Sequence, residues 1–215
     1  SWALGVQSPT DIGFAADGER YRLPALNINE HVVQSQQTEI AALTGELFAN
    51  GSLSLMQRRE ARRSSTDRRV SVVADLVNKT PGPWVVWCDL NAASGALTAA
   101  IDGALEIRGS DDIEDKEQAL RAFATGDARV LVSKPSICGW GLNWQHCHQM
   151  AFVGLSDSFE GYYQAVRRCW RFGQRKPVDV HVVSSELEGA VVANIKRKGA
   201  MAEEMAKELT EATRE

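Results

Sequence analysis

The sequence predicts an α/β protein with a doubly wound, mostly parallel sheet, helices on both faces, a helical N-terminal flank and a C-terminal helix. Short, continuously apolar runs recur along the chain, which is typical of strands buried on both faces of a parallel sheet. Segments with helical spacing of apolar residues separate these runs, as crossovers between parallel strands require. With 215 residues, 44% of them hydrophobic, the chain can bury one sizeable core.

The predicted elements alternate in a regular order. Upstream of the first apolar run, Ser65 or Thr66 is placed to cap a helix that stops before Pro81. The apolar runs then predict strands at residues 84–88, 104–107, 130–132, 150–153 and 178–183. Helical spacing between them predicts helices at residues 97–101, 116–123 and 161–170.

This order divides the chain into three segments. Residues 1–64 are predicted to be a flanking or linker segment, irregular at first with at most a short strand, then helical over 38–56. Residues 65–186 form the α/β lobe, and residues 187–215 form a charged, Ala-rich helical tail. A start at Ser1 without an initiator Met is compatible with a piece of a longer polypeptide, with processing or with a cloning remnant.

Charge and cysteine usage narrow the class of protein. The formal net charge of -4 gives no overall attraction to nucleic acid, but basic residues cluster locally. The two clusters are Arg58, Arg59, Arg62, Arg63, Arg68 and Arg69, and Arg167, Arg168, Arg171, Arg175 and Lys176. The four cysteines lack a CxxC pair or a disulfide framework spacing, so free thiols and a cytoplasmic location are expected. No apolar run approaches the roughly 18 residues of a membrane helix, so we expect no membrane partner.

The most specific motif is the segment 164–174, QAVRRCWRFGQ. On a helix, positions three and four apart share a face, so Gln164, Arg168 and Arg171 are predicted to project together near its C-terminal end. Guanidinium groups carry a permanent charge and a fork of donors that matches phosphate oxygens. The pattern therefore favours phosphate binding over the alternative of a basic surface helix.

The pattern QxxxRxxRxGQ resembles motif VI of superfamily 2 helicases, and its ending, Arg-Phe-Gly-Gln, is similar to the Swi/Snf-like branch. Residues 130–133 followed by Gly-Trp-Gly-Leu-Asn at 139–143 resemble motif V, and residues 84–90 stand where motif IV is expected. The resemblance implies the second, C-terminal RecA-like lobe of a helicase. Departures from the usual motif V wording suggest a divergent branch of phage or prophage type.

The resemblance implies roles for individual residues. Arg171 is expected to be the arginine finger, and Arg168 a supporting phosphate contact or a cleft-closing salt bridge, with Gln164 positioning both. Gly141 would let the backbone approach the nucleotide closely, and Asn143 would reach the ribose or the network between the lobes.

Nucleic-acid contacts are also implied. Either Ser133 or Ser136 would bind the nucleic-acid backbone, because Pro135 and one extra residue leave the alignment of this segment open. Arg58 and Arg62 lie on one flank of a predicted helix and could follow phosphates, or could belong to a solvated linker helix. Double-stranded DNA is the expected partner, by analogy with the branch.

The sequence lacks two parts of an ATPase site. It has no GxxxxGK[ST] loop, and no Asp-Glu pair follows a buried strand in the manner of a Mg²⁺ site. In the family these parts belong to the N-terminal RecA-like lobe, which is therefore an expected partner. ATP and Mg²⁺ are expected only in the intact two-lobe protein, and this chain alone should hydrolyse ATP negligibly. A non-enzymatic nucleic-acid-binding or scaffold domain is the alternative.

Two other constellations suggest different chemistry. His146, Cys147 and His148, with Cys138 nearby, could suggest zinc, but adjacent residues point in different directions and no second ligand pair has structural spacing, so no metal site is predicted.

Tryptophans could stack bases. Packing is the favoured role of Trp170, whereas the roles of residues 140 and 144 stay open.

Overall fold

The computed structural model describes residues 23–34, 55–138, 143–156, 158–185, 193–195, 197–201, 204–205 and 208, with backbone alone for residues 55–64. The predicted helix over 38–56 therefore lies almost entirely outside the described residues. The strands are β1 Leu26–Val33, β2 Trp84–Cys88, β3 Ala104–Ile107, β4 Val130–Ser133, β5 Gln149–Val153 and β6 Val178–Ser185. The helices are α1 Leu55–Lys79, α2 Asn91–Ala100, α3 Ile113–Thr125 and α4 Phe159–Val166.

The six strands form one sheet in the order β1-β6-β5-β2-β4-β3. Every neighbouring pair is parallel, and β2 lies between β5 and β4, with Trp84 opposite Gln149 on one side and Val130 on the other. The predicted mostly parallel sheet is confirmed.

Helices cover both faces of this sheet. Because successive strand residues point to opposite faces, Trp84 and Val86 pack with buried residues of α1 and α2, whereas Val85 and Trp87 pack with those of α3 and α4. This arrangement is the predicted doubly wound architecture. In the part of the chain that the structure describes, no helix is both long and apolar enough to cross a membrane.

The N-terminal side of the lobe differs from the prediction. Helix α1 begins ten residues before Ser65, so Ser65 and Thr66 are buried inside it and the prediction that either caps it was wrong. The Arg69 Nε donates to Ser65 O at 3.2 Å within the helix. Strand β1 lies inside the predicted flanking segment, yet it pairs along its full length with β6. Sheet and helix thus both extend upstream of residue 65.

The end of α4 also differs from the prediction. A single helix over 161–170 was wrong, because α4 ends at Val166. Beyond it, Arg168 N donates to Ala165 O and Cys169 N donates to Val166 O, both at 3.2 Å. These bonds span three residues instead of four, which tightens the chain into turns. Arg168 and Arg171 therefore do not share a regular helical face with Gln164.

Candidate functional site

The candidate site centres on residues 167–174, here called the arginine turn, which connects α4 to the segment before β6. Ser158 caps the start of helix α4, because its Oγ accepts from Gly161 N at 3.0 Å. The helix buries Ala165 and Val166 in the core and so fixes where the arginine turn begins. On the far side, Trp144 N donates to Arg168 O at 3.0 Å. The turn is thereby held on the sheet face that α3 and α4 cover.

Arg168 and Arg171 lie close together in this turn. Arg168 is only 7% exposed, whereas Arg171 is half-buried. Burial lowers the pKa of Arg168, the positive charge of Arg171 lowers it further, and Cys138 and Cys169 oppose the shift. A buried guanidinium beside a second cation is an arrangement that a phosphate group would stabilise.

Arg167 occupies an aromatic environment that sequence reasoning did not single out. Its guanidinium carbon lies 6.0, 5.4 and 5.9 Å from the ring centroids of Tyr163, Trp170 and Phe172. Burial lowers its pKa, and the charge of Arg171 contributes in the same direction. The three aromatic residues lie close to Arg167 in sequence, and this clustering was the signal from which the environment could have been predicted. Arg167 therefore serves packing of the turn through cation–π contacts.

Two tryptophans have structural roles beside the turn. Trp170 Nε1 donates to Pro24 O at 2.8 Å, which ties the turn to the segment before β1. Trp144 is fully buried, with its ring centroid 6.0 Å from that of Trp87 and 5.4 Å from that of Phe123. The packing role predicted for Trp170 agrees with this geometry, and Trp144 is likewise a core residue.

The two candidate serines differ in exposure. Ser133 is fully buried, its Oγ donates to Ile107 O at 3.0 Å, and it accepts from Cys138 Sγ at 3.3 Å. Ser136 is exposed just beyond β4. Asn143 is also exposed.

The four remaining predicted site residues are described to different extents. Gly141 lies outside the described residues. Arg58 and Arg62 lie on α1, but their side chains also lie outside them. Gln164 is half-buried in the last turn of α4.

A shallow pocket lies at the carboxyl ends of β2 and β5. The chain leaves β2 for α2 on one face and leaves β5 for α4 on the other, and ligands of parallel sheets bind in such a crevice. The lining residues are Trp87, Cys88, Asp89, Pro135, Phe152, Gly154, Leu155, Ser156 and Tyr162. Burial raises the pKa of the Tyr162 hydroxyl to about 12, so this group stays neutral and can donate a hydrogen bond.

Two residues of the His-Cys-His segment make contacts within the protein. The rings of His146 and Phe123 meet in an edge-to-face arrangement with centroids 4.9 Å apart. Cys147 Sγ donates to Pro83 O at 3.3 Å. Within the described ranges, no three His, Cys, Asp or Glu side chains group closely enough to hold a metal ion.

Comparison with known proteins identifies the lobe. Residues 68–173 match the family model of the helicase conserved C-terminal domain. This chain contains a helicase C-terminal domain. The matched range runs from within α1 to Gly173 in the arginine turn, so the resemblance to helicases inferred from the arginine motif is confirmed.

A solved structure shares the fold of the helicase domain. The crystal structure of the C-terminal part of Fun30 ATPase domain superposes with a TM-score of 0.57 at 10% sequence identity, covering 89% of this chain and 99% of that one. At this identity the likeness shows the fold alone, which is that of a RecA-like helicase C-terminal lobe. No curated protein sequence matches the chain.

Proposed function

We propose that this chain is the C-terminal motor lobe of an ATP-dependent helicase or translocase that acts on double-stranded DNA, in a Swi/Snf-like branch of phage type. The observation that carries the proposal is that Arg168 and Arg171 lie near each other on one tight turn of a helicase C-terminal domain. Two guanidinium groups close enough to repel each other favour a polyanion such as a triphosphate.

In the proposed mechanism, ATP binds between this lobe and an N-terminal RecA-like lobe. Closure brings Arg171 to the γ-phosphate, where its charge stabilises the transition state, while Arg168 supports the phosphates and Gln164 orients both. Asn143 and Gly141 contact the nucleoside side of the ligand. Opening after hydrolysis shifts the grip on DNA.

Mg²⁺ would be held by the other lobe. Magnesium takes oxygen ligands, chiefly carboxylates, phosphates and water. The arginine turn offers guanidinium groups, which repel a cation, so it does not fit a magnesium site. Its residues complement the charge of the nucleotide instead.

The proposed DNA track includes Ser136, Arg58 and Arg62. Ser136 is supported by its exposure beyond β4. Each arginine that neutralises a phosphate adds about -0.9 to the slope of log affinity against log salt. The double variant Arg58→Ala/Arg62→Ala should therefore weaken DNA binding and reduce the slope by about 2. An unchanged slope would remove these arginines from the track.

A reducing compartment, the cytoplasm, fits the four cysteine thiols. All four are free and buried. Burial raises the pKa of Cys88 to about 11 and raises that of Cys169, which keeps these thiols protonated and unreactive.

The test is DNA-stimulated ATP hydrolysis by the intact two-lobe protein. Arg171→Ala should lower kcat by about 10³- to 10⁵-fold, as expected for an arginine finger. Arg121→Ala, at an exposed position on α3, is the matched control and should keep wild-type turnover. Equal, measurable turnover of the Arg171→Ala variant and the wild type would refute the proposed role of Arg171, whereas absence of DNA-stimulated turnover in the wild type would favour the scaffold alternative.

A further inference from the structure

Gln174, the residue that closes the arginine turn, is almost fully buried at 6% exposure. Its Nε2 lies 2.9 Å from Gln145 O, 2.9 Å from Cys147 O and 3.4 Å from Cys169 O, and donates to these three carbonyl groups. Its Oε1 accepts from the backbone N–H groups of the next two residues, both at 3.0 Å. One side chain thus connects the arginine turn, the loop before β5 and the segment that leads to β6.

Gln145 makes the reciprocal contact. Its side-chain Nε2 donates to Phe172 O in the arginine turn, while its main-chain carbonyl oxygen accepts from Gln174 Nε2. The residue between these two contacts is Gly173, which has a φ of +94°. A Cβ at Gly173 would lie 2.6 Å from Gln145 Nε2, so any larger residue here would displace the amide from its observed position. The two glutamines and this glycine interlock the loop and the turn.

The geometry points to a positioning role for Gln174 and Gln145, here called the glutamine clamp, which orients Arg168 and Arg171 toward bound nucleotide. This inference rests on the proposed function. The loop before β5 is fixed in position because its Trp144 is buried in the core. The two arginines, by contrast, lie beyond the end of α4. Side-chain bonds to the loop therefore set the path of the turn.

A glutamine is suited to this position because its amide both donates and accepts. A carboxylate of the same shape keeps the acceptor for the two N–H groups but places an oxygen against three carbonyl oxygens, and those groups repel it. Gln174→Glu therefore removes the donor half of the clamp without changing side-chain volume. At low pH the carboxyl becomes protonated and regains one donor.

The experiment measures DNA-stimulated ATP hydrolysis by the intact two-lobe protein. At pH 8, Gln174→Glu should lower kcat by about 10- to 100-fold, because small misplacements of catalytic groups cost up to about 10² in rate, and KM for ATP should change much less. The deficit should shrink as the pH is lowered toward 6. Gln118→Glu, exposed on α3, is the matched control and should follow the wild type.

The pH comparison uses the ratio of variant to wild-type kcat. Burial lowers the pKa of His146 and of His148, and the ratio removes the part of their titration that the two proteins share. Partial recovery of the ratio at low pH is a signature that a simple packing defect would not give. A ratio of 1 at pH 8, or a deficit that does not change with pH, would overturn the inference.

A second variant keeps the inference testable if Gln174→Glu does not fold. Gln145→Ala removes only the bond to Phe172 O from a half-buried side chain, and should lower kcat by about 3- to 10-fold. Wild-type kcat in this variant would overturn the clamp. If Arg171→Ala abolishes turnover but the clamp variant does not lower it, only this inference fails; if Arg171→Ala has no effect, the proposed function fails.

Discussion

Gly173→Ala should destabilise the helicase domain more than an ordinary glycine substitution in a turn. The φ of +94° costs an alanine roughly 1 to 2 kcal/mol. The new methyl group would also lie 2.6 Å from Gln145 Nε2 and displace an amide that donates to Phe172 O, which adds about 1 kcal/mol for a lost hydrogen bond. The expected loss in the free energy of unfolding is about 2 to 3 kcal/mol, measured by urea denaturation of the chain.

The control is Gly103→Ala. This glycine also has a positive φ, +70°, but among the described residues beyond its chain neighbours no heavy atom would lie within 4 Å of an added methyl group, so only the backbone cost of about 1 to 2 kcal/mol applies. Adding Gln145→Ala to Gly173→Ala removes the clash, so the double variant should lose less than the sum of the two single losses. Equal losses for the two glycine variants, together with additivity in the double variant, would refute the reasoning.

Three further predictions concern the stability of the same chain. Trp144→Ala should lower the free energy of unfolding by about 3 to 5 kcal/mol, because the fully buried ring packs against Trp87 and Phe123, and urea denaturation measures the loss. Trp170→Phe should cost about 1 kcal/mol by the same assay, since it keeps a ring but loses the bond to the N-terminal segment. Burial lowers the pKa of His181, so the unfolded chain binds more protons than the folded chain below about pH 6.5. The free energy of unfolding should therefore decrease as the pH falls through this range. His181→Asn should reduce this pH dependence, which urea titrations at pH 5 to 8 measure.

Strand β2, at the centre of the sheet, could be predicted from sequence because its signal is local. Residues 84–88 have the predicted bounds, since a short, continuously apolar run bounded by turn residues has few alternatives to a strand buried in a parallel sheet. Strand β1 carries Asn, Glu and His among its apolar residues, and such a strand at a sheet edge is specified mainly by its pairing with β6. Its full length could not be read from periodicity.

The arginine motif shows the same limit at the candidate site. Sequence spacing placed Arg168 and Arg171 at the C-terminal end of a helix over residues 161–170, but hydrogen bonds from the loop before β5 and from Gln174 draw the backbone into turns after Val166. Trp144, which donates to Arg168 O, is distant in sequence, and nothing in the helical spacing indicates that the Gln174 side chain donates to Cys169 O. The burial of Ser133 likewise follows from its contact with Ile107 on the neighbouring strand, which no local pattern encodes.

The central claim is tested most directly by nucleotide affinity in the intact two-lobe protein. ATP should bind the wild type and the Arg171→Ala variant with dissociation constants within a few-fold of each other, measured by calorimetry. A mimic of the transferring phosphoryl group, ADP with a metal fluoride, should bind the variant far more weakly, because the finger acts mainly in the transition state. Equal affinity of both proteins for the mimic would contradict the assignment of Arg171.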